Sequence, residues 1–166
     1  GEMSKTICVA GASGLVGSNI VREALSRGYQ VNGTMRNVTT QERTKYLQRL
    51  KCSENLKLFS ADMLVTGTFN DALSGVDAVF ITCLIPTYRG PTGVLAREMD
   101  YEQGYREIVK PTVDGCLEIL RSAHDEGIKK VIICSSTSST NPIPSVSNKN
   151  EVDHWSNEHE QIKAQK

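Results

Sequence analysis

The feature that most constrains this chain is the segment VAGASGLVGSNI at residues 9–20, in which Gly11, Gly14 and Gly17 stand three residues apart. It follows an apolar run at residues 6–10 and opens a segment with apolar residues at helical spacing. In a strand-turn-helix unit the first glycine permits the sharp turn, the second lets a pyrophosphate approach, and the third lets the helix lie close to the sheet. The alternative is a tight turn that serves packing alone. Its place after the first strand favours cofactor binding.

Apolar runs and helical segments alternate along the rest of the chain. Strands are predicted at residues 6–10, 29–35, 56–61, 78–83 and 130–134, and helices at residues 14–27, 40–51, 68–73 and 107–123. This alternation predicts an α/β fold with a Rossmann-type doubly wound parallel sheet and helices on both faces. The fourth and fifth strands are apolar almost throughout, so both are expected to be covered on both faces. Pro111 is expected to begin or kink the last helix, because proline is tolerated only in a first turn.

Length and composition narrow the class of protein. The 166 residues predict a single NAD(P)-binding domain over residues 1–166, with residues 1–3 a remnant of cloning because a glycine precedes the first methionine. Nineteen basic residues balance nineteen acidic ones, and no segment reaches membrane-spanning length. We therefore predict no nucleic-acid partner and no membrane partner.

Five cysteines stand far apart without a CxxC pair. This pattern argues against a disulfide framework or a metal site and suits a reducing, cytoplasmic compartment. Cys8, Cys83 and Cys134 lie in apolar runs and are expected to be buried.

The residues after the second strand bear on the choice of cofactor. Enzymes that use NAD normally offer a carboxylate to the ribose hydroxyls at this point, but residues 34–37 read TMRN. Arg36 can instead meet a 2′-phosphate, with Arg43 or Lys45 adding a second charge. This favours NADP, and the alternative is a solvated basic strand end. Asp62 can accept from an adenine amino group, or it can cap a turn.

Five stretches together resemble a known family: GASGLVGSNIV, TMRN, SADM, EIVKPTVDGCLEIL and KKVIICSST. They resemble the extended short-chain dehydrogenases/reductases, and among these the dihydroflavonol reductase and cinnamoyl-CoA reductase group. The resemblance covers residue 5 to about residue 155. It implies an NADP-dependent reductase that transfers a hydride from NADPH to a carbonyl of a small organic substrate.

The resemblance also implies a set of site residues. The cofactor-binding residues are Gly11, Ser13, Gly14, Leu15, Val16, Gly17, Arg36, Arg43, Asp62, Met63, Thr82, Cys83 and Lys110. Thr82 and Cys83 match the strand end beside the nicotinamide ribose, and Lys110 lies in the helix motif on the inner side of the site. Ser136 matches the catalytic serine that hydrogen-bonds the substrate carbonyl, with Ser138 as the reserve candidate.

The chain departs from the family in two places. The family's proton donor is a tyrosine four residues before a lysine, and no tyrosine follows Tyr105 here. We therefore expect the N-terminal part of a reductase, with the substrate-binding C-terminal part missing and no turnover by these residues alone. The alternative is a non-catalytic NADP-binding sensor or partner-binding module. The segment 84–98 is longer than is usual in the plant enzymes, so the rim of the substrate pocket is expected to differ.

Overall fold

A computed structural model describes residues 5–142, 144–150 and 152–157, without the side chains of Gln41 and Ser138. The strands are β1 (Thr6–Ala10), β2 (Gln30–Met35), β3 (Leu56–Ser60), β4 (Ala78–Ile81) and β5 (Lys130–Ile133). The helices are α1 (Leu15–Ser26), α2 (Gln41–Gln48), α3 (Asn70–Leu73), α4 (Tyr101–Gly104) and α5 (Lys110–Asp125). Short 3₁₀ turns span Ser53–Asn55, Ala96–Glu98 and Thr137–Thr140, and a π-helical turn spans Tyr105–Val109. Each predicted strand and helix is present, with ends that differ by a few residues.

The five strands form one parallel sheet in the order β3-β2-β1-β4-β5. The order reverses between β1 and β4, because the chain first builds outward through β2 and β3 and then returns to the other side of β1. Helices flank the sheet, and the predicted Rossmann-type α/β fold is confirmed. In such sheets ligands bind beyond the carboxyl ends of the strands, at the point where the order reverses.

The described chain divides into two compact units. The first comprises Gly1–Leu84 and Val113–Cys134 and contains the whole sheet, and the second comprises Ile85–Thr112 and Ser135–Lys166. The core of the first unit lies where β1 and β2 pack against α1 and α2. Its buried members are Ile7, Val9, Ala12, Val21, Ala24, Leu25, Val31, Met35 and Leu47. This apolar layer fixes α1, and therefore the glycine turn that precedes it, against the sheet.

The fifth strand corrects one prediction. Val79 and Ile81 of β4 are buried, but Val131, Ile132 and Ile133 of β5 are 36%, 44% and 49% exposed. Cys134, which follows β5, is exposed as well, whereas Cys8 is fully buried. The physical reason is position: β5 is the edge strand, paired with β4 alone among the described strands. The apolar composition of a strand favours its burial, but whether the strand is buried depends on the elements that pack against it.

The predicted last helix is one continuous helical segment with a wide turn inside it. The π-helical turn Tyr105–Val109 joins α4 to α5, and Pro111 is the second residue of α5. Proline has no N–H to donate to the carbonyl four residues earlier, and a widened turn at this place accommodates that loss. Within the described residues, no helix combines the length and the apolar character needed to cross a membrane.

Candidate cofactor-binding site

The three glycines of the turn after β1 differ in their structural roles. Gly11 has a φ of +87°, and its carbonyl accepts from the Gly14 N–H at 3.1 Å, which closes the turn. Gly14 is exposed and precedes α1 in an extended conformation. Gly17 is buried, and a Cβ there would overlap the Gly11 carbonyl oxygen. The backbone turn and the start of α1 therefore touch each other directly.

Two threonines hold this turn from neighbouring strands. Thr34 of β2 is 1% exposed; its Oγ1 accepts from the Gly11 N–H at 3.2 Å and its carbonyl accepts from the Ala12 N–H at 2.8 Å. Thr82, just after β4, donates its hydroxyl to the Ala10 carbonyl at 2.7 Å. Thr82 is one of the predicted ribose contacts, whereas Thr34 is not among the predicted site residues. The available signal for Thr34 was its place at the carboxyl end of β2, two residues before Arg36.

The first turn of α1 is open to an anion. Its N-cap, Gly14, makes no side-chain hydrogen bond to the helix, and no acidic residue stands in the first turn. Leu15 and Val16 are 84% and 47% exposed, while Ser13 is half-buried in the turn. The first N–H groups of a helix have no partner within the helix and carry its positive dipole end. This arrangement can hold a pyrophosphate.

Arginines lie at the end of β2 beside this turn. Arg36 is exposed and stands two residues after Thr34, the residue that binds the turn. Arg43 is exposed on α2, and α2 is tied to the end of β2 by the Thr44 hydroxyl, which donates to the Val38 carbonyl at 2.9 Å. Neither arginine forms a salt bridge with any residue that the structure describes. Both guanidinium groups are therefore available to a phosphate.

The turn after β3 contains the predicted adenine contact. Asp62 is half-buried, and its Oδ1 accepts from the Leu64 N–H at 2.9 Å, so this carboxylate caps a turn. The Thr68 hydroxyl binds both the N–H and the carbonyl of Asp62, at 3.0 and 2.9 Å. Met63 is buried at 9% exposure. One carboxylate oxygen of Asp62 thus has a structural partner in the turn.

Cys83 lies against the glycine turn. A Cβ on Gly11 would stand 2.8 Å from the Cys83 backbone nitrogen, so the two segments touch through their backbones. Burial raises the pKa of the half-buried Cys83 thiol from 9.0 to about 11, and burial raises the pKa of Cys8 to about 12. Both thiols are therefore neutral at neutral pH. They serve as packing surface and not as nucleophiles.

The remaining predicted residues belong to the second unit. Lys110 is exposed at the first position of α5. Ser136 is exposed just before the 3₁₀ turn Thr137–Thr140, and its carbonyl accepts from the Ser139 N–H at 3.0 Å and hydroxyl at 2.6 Å. The side chain of Ser138 lies outside the described residues. The structure therefore brings the glycine turn, Arg36 and Thr82–Cys83 together in the first unit, with Asp62–Met63 at the end of β3, and places Lys110 and Ser136 in the second.

Comparison with known proteins identifies the family of this chain. A family model described as NAD(P)H-binding matches residues 11–165. Dihydroflavonol 4-reductase from Gerbera hybrida is 36% identical over 155 residues, which cover 91% of this chain and 39% of that protein. Vestitone reductase from alfalfa (Medicago sativa) superposes with a TM-score of 0.66 at 27% identity, over 92% of this chain and 43% of that structure.

A second structure shows the same fold at lower identity. Gre2 from Candida albicans, determined in complex with NADPH, has a TM-score of 0.69 at 23% identity and covers 92% of this chain and 44% of that structure. The chain spans about two fifths of the length of the curated relatives it matches. It belongs to the NAD(P)H-binding family, and its relatives are the dihydroflavonol reductase-like members of the extended short-chain dehydrogenases/reductases.

Proposed function

We propose that this chain is the cofactor-binding part of an NADPH-dependent reductase that acts on a carbonyl of a small organic molecule. The observation that carries the choice of NADPH is Arg36. It is exposed at the end of β2, two residues from the threonine that binds the glycine turn, and no carboxylate stands there for ribose hydroxyls. Guanidinium groups match phosphate oxygens in charge and geometry.

The residues present fit a dinucleotide. Gly14 is exposed and carries no Cβ, so the first N–H groups of α1 are accessible to the pyrophosphate. Arg36 and Arg43 would bind the 2′-phosphate, and Asp62 would accept from the adenine amino group. Thr82 and Cys83 would lie beside the nicotinamide ribose and Lys110 on the inner side of the site. When bound, the reduced nicotinamide supplies a hydride.

Ser136 is the proposed substrate-binding residue. Its exposed hydroxyl would donate a hydrogen bond to the substrate carbonyl oxygen, which orients the carbonyl and stabilises the negative charge that develops on it. The adjoining 3₁₀ turn fixes the backbone of Ser136 through Ser139. No tyrosine follows Tyr105 in these 166 residues. We assign the proton donor to the part of the relatives that this chain does not span, and expect no turnover by residues 1–166 alone.

Titration with NADPH and with NADH tests the proposal. The wild-type chain should bind NADPH more tightly than NADH, because only NADPH carries the 2′-phosphate. Hydrogen bonds to charged groups contribute about 1.5–3 kcal/mol, so Arg36→Ala should weaken NADPH binding by about tenfold to a hundredfold and leave NADH nearly unchanged.

Arg27→Ala is the matched control. Arg27 is an exposed arginine just past the opposite end of α1, paired with Glu23 at 2.8 Å, so its loss should change neither affinity. Equal affinity of the wild type for NADH and NADPH would overturn the assignment of the 2′-phosphate to Arg36. An equal loss of both cofactors in Arg36→Ala would do the same.

A further inference from the structure

The turn that contains Asp62 is closed by its own hydrogen bonds. We call residues 62–68 the Asp62 turn. Within it the Val65 N–H donates to the Asp62 carbonyl at 3.0 Å, and the Thr68 hydroxyl joins Asp62 to Val65. At its start, the Ala61 N–H donates to the Met35 carbonyl of β2 at 2.9 Å. These bonds set the shape of the turn and fix the residue before it, while at its far end Phe69 is buried at 2% exposure.

The far end is held by a residue distant in sequence. The Glu118 Oε1 of α5 accepts from the Gly67 N–H at 2.9 Å, across 51 residues of chain. A carboxylate that accepts from a backbone N–H forms a stronger bond than a neutral acceptor does. Glu118 is half-buried and Gly67 is exposed, so the bond lies at the surface of the first unit.

The same face of α5 contacts the turn at a second point. Gly115 is buried, and a Cβ on it would lie 2.9 Å from Met63 Cβ and 3.1 Å from Met63 Cε. The helix can approach Met63 this closely only because residue 115 is a glycine. Gly115 and Glu118 are three residues apart and so lie on one face of α5. The helix therefore clamps the Asp62 turn at Met63 and at Gly67.

Little else in the turn is buried. Leu64 and Val65 are 65% and 51% exposed, and Gly67 is exposed with a φ of +79°. A turn with so few buried apolar contacts takes its position from the anchors at its ends. The contact of α5 at Gly67, together with the buried Phe69 that follows the turn, therefore holds the loop whose Leu64 N–H binds the Asp62 carboxylate.

We propose that Glu118 and Gly115 are positioning residues for the adenine end of the cofactor. By clamping the Asp62 turn, they hold the Asp62 carboxylate where it accepts from the adenine amino group. The inference rests on the proposed function, in which this chain binds NADPH and Asp62 faces the adenine. It goes further by assigning adenine recognition to a helix that follows β4 in the chain and does not itself contact the base.

The test compares NADPH with its hypoxanthine analogue, in which oxygen replaces the adenine amino group. The analogue has an acceptor oxygen at position 6, where adenine has a donor, and carries its own proton on N1 instead. The position-6 hydrogen bond to Asp62 is therefore lost, and the wild-type chain should bind the analogue about tenfold more weakly, as expected for one lost hydrogen bond to a charged group. Glu118→Ala should reduce this ratio severalfold, because the turn that contains Asp62 loses its bond to α5. A ratio of two affinities measured on one variant cancels any change in the folded fraction.

Four further variants sharpen the result. Glu118→Gln keeps an oxygen that can accept from the Gly67 N–H, so it should preserve the discrimination against the analogue. If the negative charge of Glu118 were what mattered, this variant would lose the discrimination as Glu118→Ala does. Gly115→Ala should lower it by displacing Met63. Glu126→Ala, an exposed glutamate just past the end of α5, is the matched control and should behave as wild type. Alanine has the highest helix propensity, so Glu118→Ala should fold, and Glu118→Leu provides a second variant of similar side-chain length.

The outcomes separate the two proposals. Failure of the wild type to bind NADPH would overturn the proposed function itself. If the wild type binds NADPH and discriminates against the analogue, but Glu118→Ala discriminates equally well, the clamp is not a positioning device. A wild type that binds both dinucleotides equally has no contact from Asp62 to the amino group, which overturns this inference and leaves NADPH binding in place.

Discussion

Gly17→Ala tests the close approach of α1 to the glycine turn. The added Cβ would overlap the Gly11 carbonyl oxygen and would stand 2.8 Å from both the Gly11 carbonyl carbon and Thr82 Oγ1. Two of these three atoms belong to the backbone and cannot rotate away. The start of α1 must therefore move off the turn, or the turn must open.

The size of the effect follows from two opposing terms. Overpacking at a tight site costs about 1–3 kcal/mol, while replacing glycine by alanine in a helix stabilises by roughly 0.5–1 kcal/mol. We expect a net loss of about 1–2 kcal/mol in the free energy of unfolding, or about 2–8 °C in Tm for a chain of this length. NADPH binding should weaken as well, because the displaced first turn of α1 carries the N–H groups proposed to meet the pyrophosphate.

Gly14→Ala is the matched variant three residues earlier. Its Cβ would lie 3.5 Å from the Gly11 carbonyl oxygen, an ordinary contact, and its φ of −77° suits any residue. Its stability should stay within about 0.5 kcal/mol of wild type. NADPH affinity should still fall, because the new methyl group stands where the pyrophosphate approaches. Urea unfolding followed by circular dichroism, together with NADPH titration, measures both quantities. Equal stability of Gly17→Ala and Gly14→Ala would refute the steric reasoning.

Two further predictions concern the sheet. Val79 and Val131 are paired in register on β4 and β5 but are 0% and 36% exposed, so Val79→Ala should cost about 2 kcal/mol and Val131→Ala less than about 0.5 kcal/mol in urea unfolding. Equal losses would show that β5 is packed as tightly as β4. Burial raises the pKa of Cys8 from 9.0 to about 12, so this thiol stays protonated in the folded chain while the unfolded chain ionises above pH 9. The free energy of unfolding should therefore fall as pH rises from 9 towards 12, by up to about 1.4 kcal/mol per pH unit, and Cys8→Ala should lack that part of the slope in urea midpoints measured from pH 8 to 10.5. Parallel slopes in the two proteins would contradict the burial argument.

The fold could be predicted from the sequence because its determinants are local and periodic. Five apolar runs separated by helical segments imply parallel strands with crossovers, and the glycine spacing places the turn after β1. Gly28, just past the end of α1, has a left-handed conformation with a φ of +82°, as a glycine after a helix commonly does. Each of these features is decided by residues within about one helix length of each other.

The missed parts of the site depend on contacts between distant residues. Thr34 binds Gly11 across 23 residues, Thr82 binds Ala10 across 72, and Glu118 binds Gly67 across 51. The local pattern does not show which group each of these side chains binds, because the partner lies 23 to 72 residues away. The exposure of β5 was missed for a related reason, since burial is a property of neighbours and not of the strand.

The positions of these groups also explain why the sequence predicts the class of cofactor but not the substrate. The glycine turn, Arg36 and the Asp62 turn, with the contacts that hold them, all lie in the first unit, and three of the five strands bear on them directly. The residues proposed to contact the ADP end thus depend for their positions on the sheet that defines the fold. Ser136 and the segment 85–98 lie in the second unit, in irregular backbone whose sequence the sheet does not constrain. Cofactor binding follows the architecture of the sheet, whereas substrate choice depends on loops that can change without altering it.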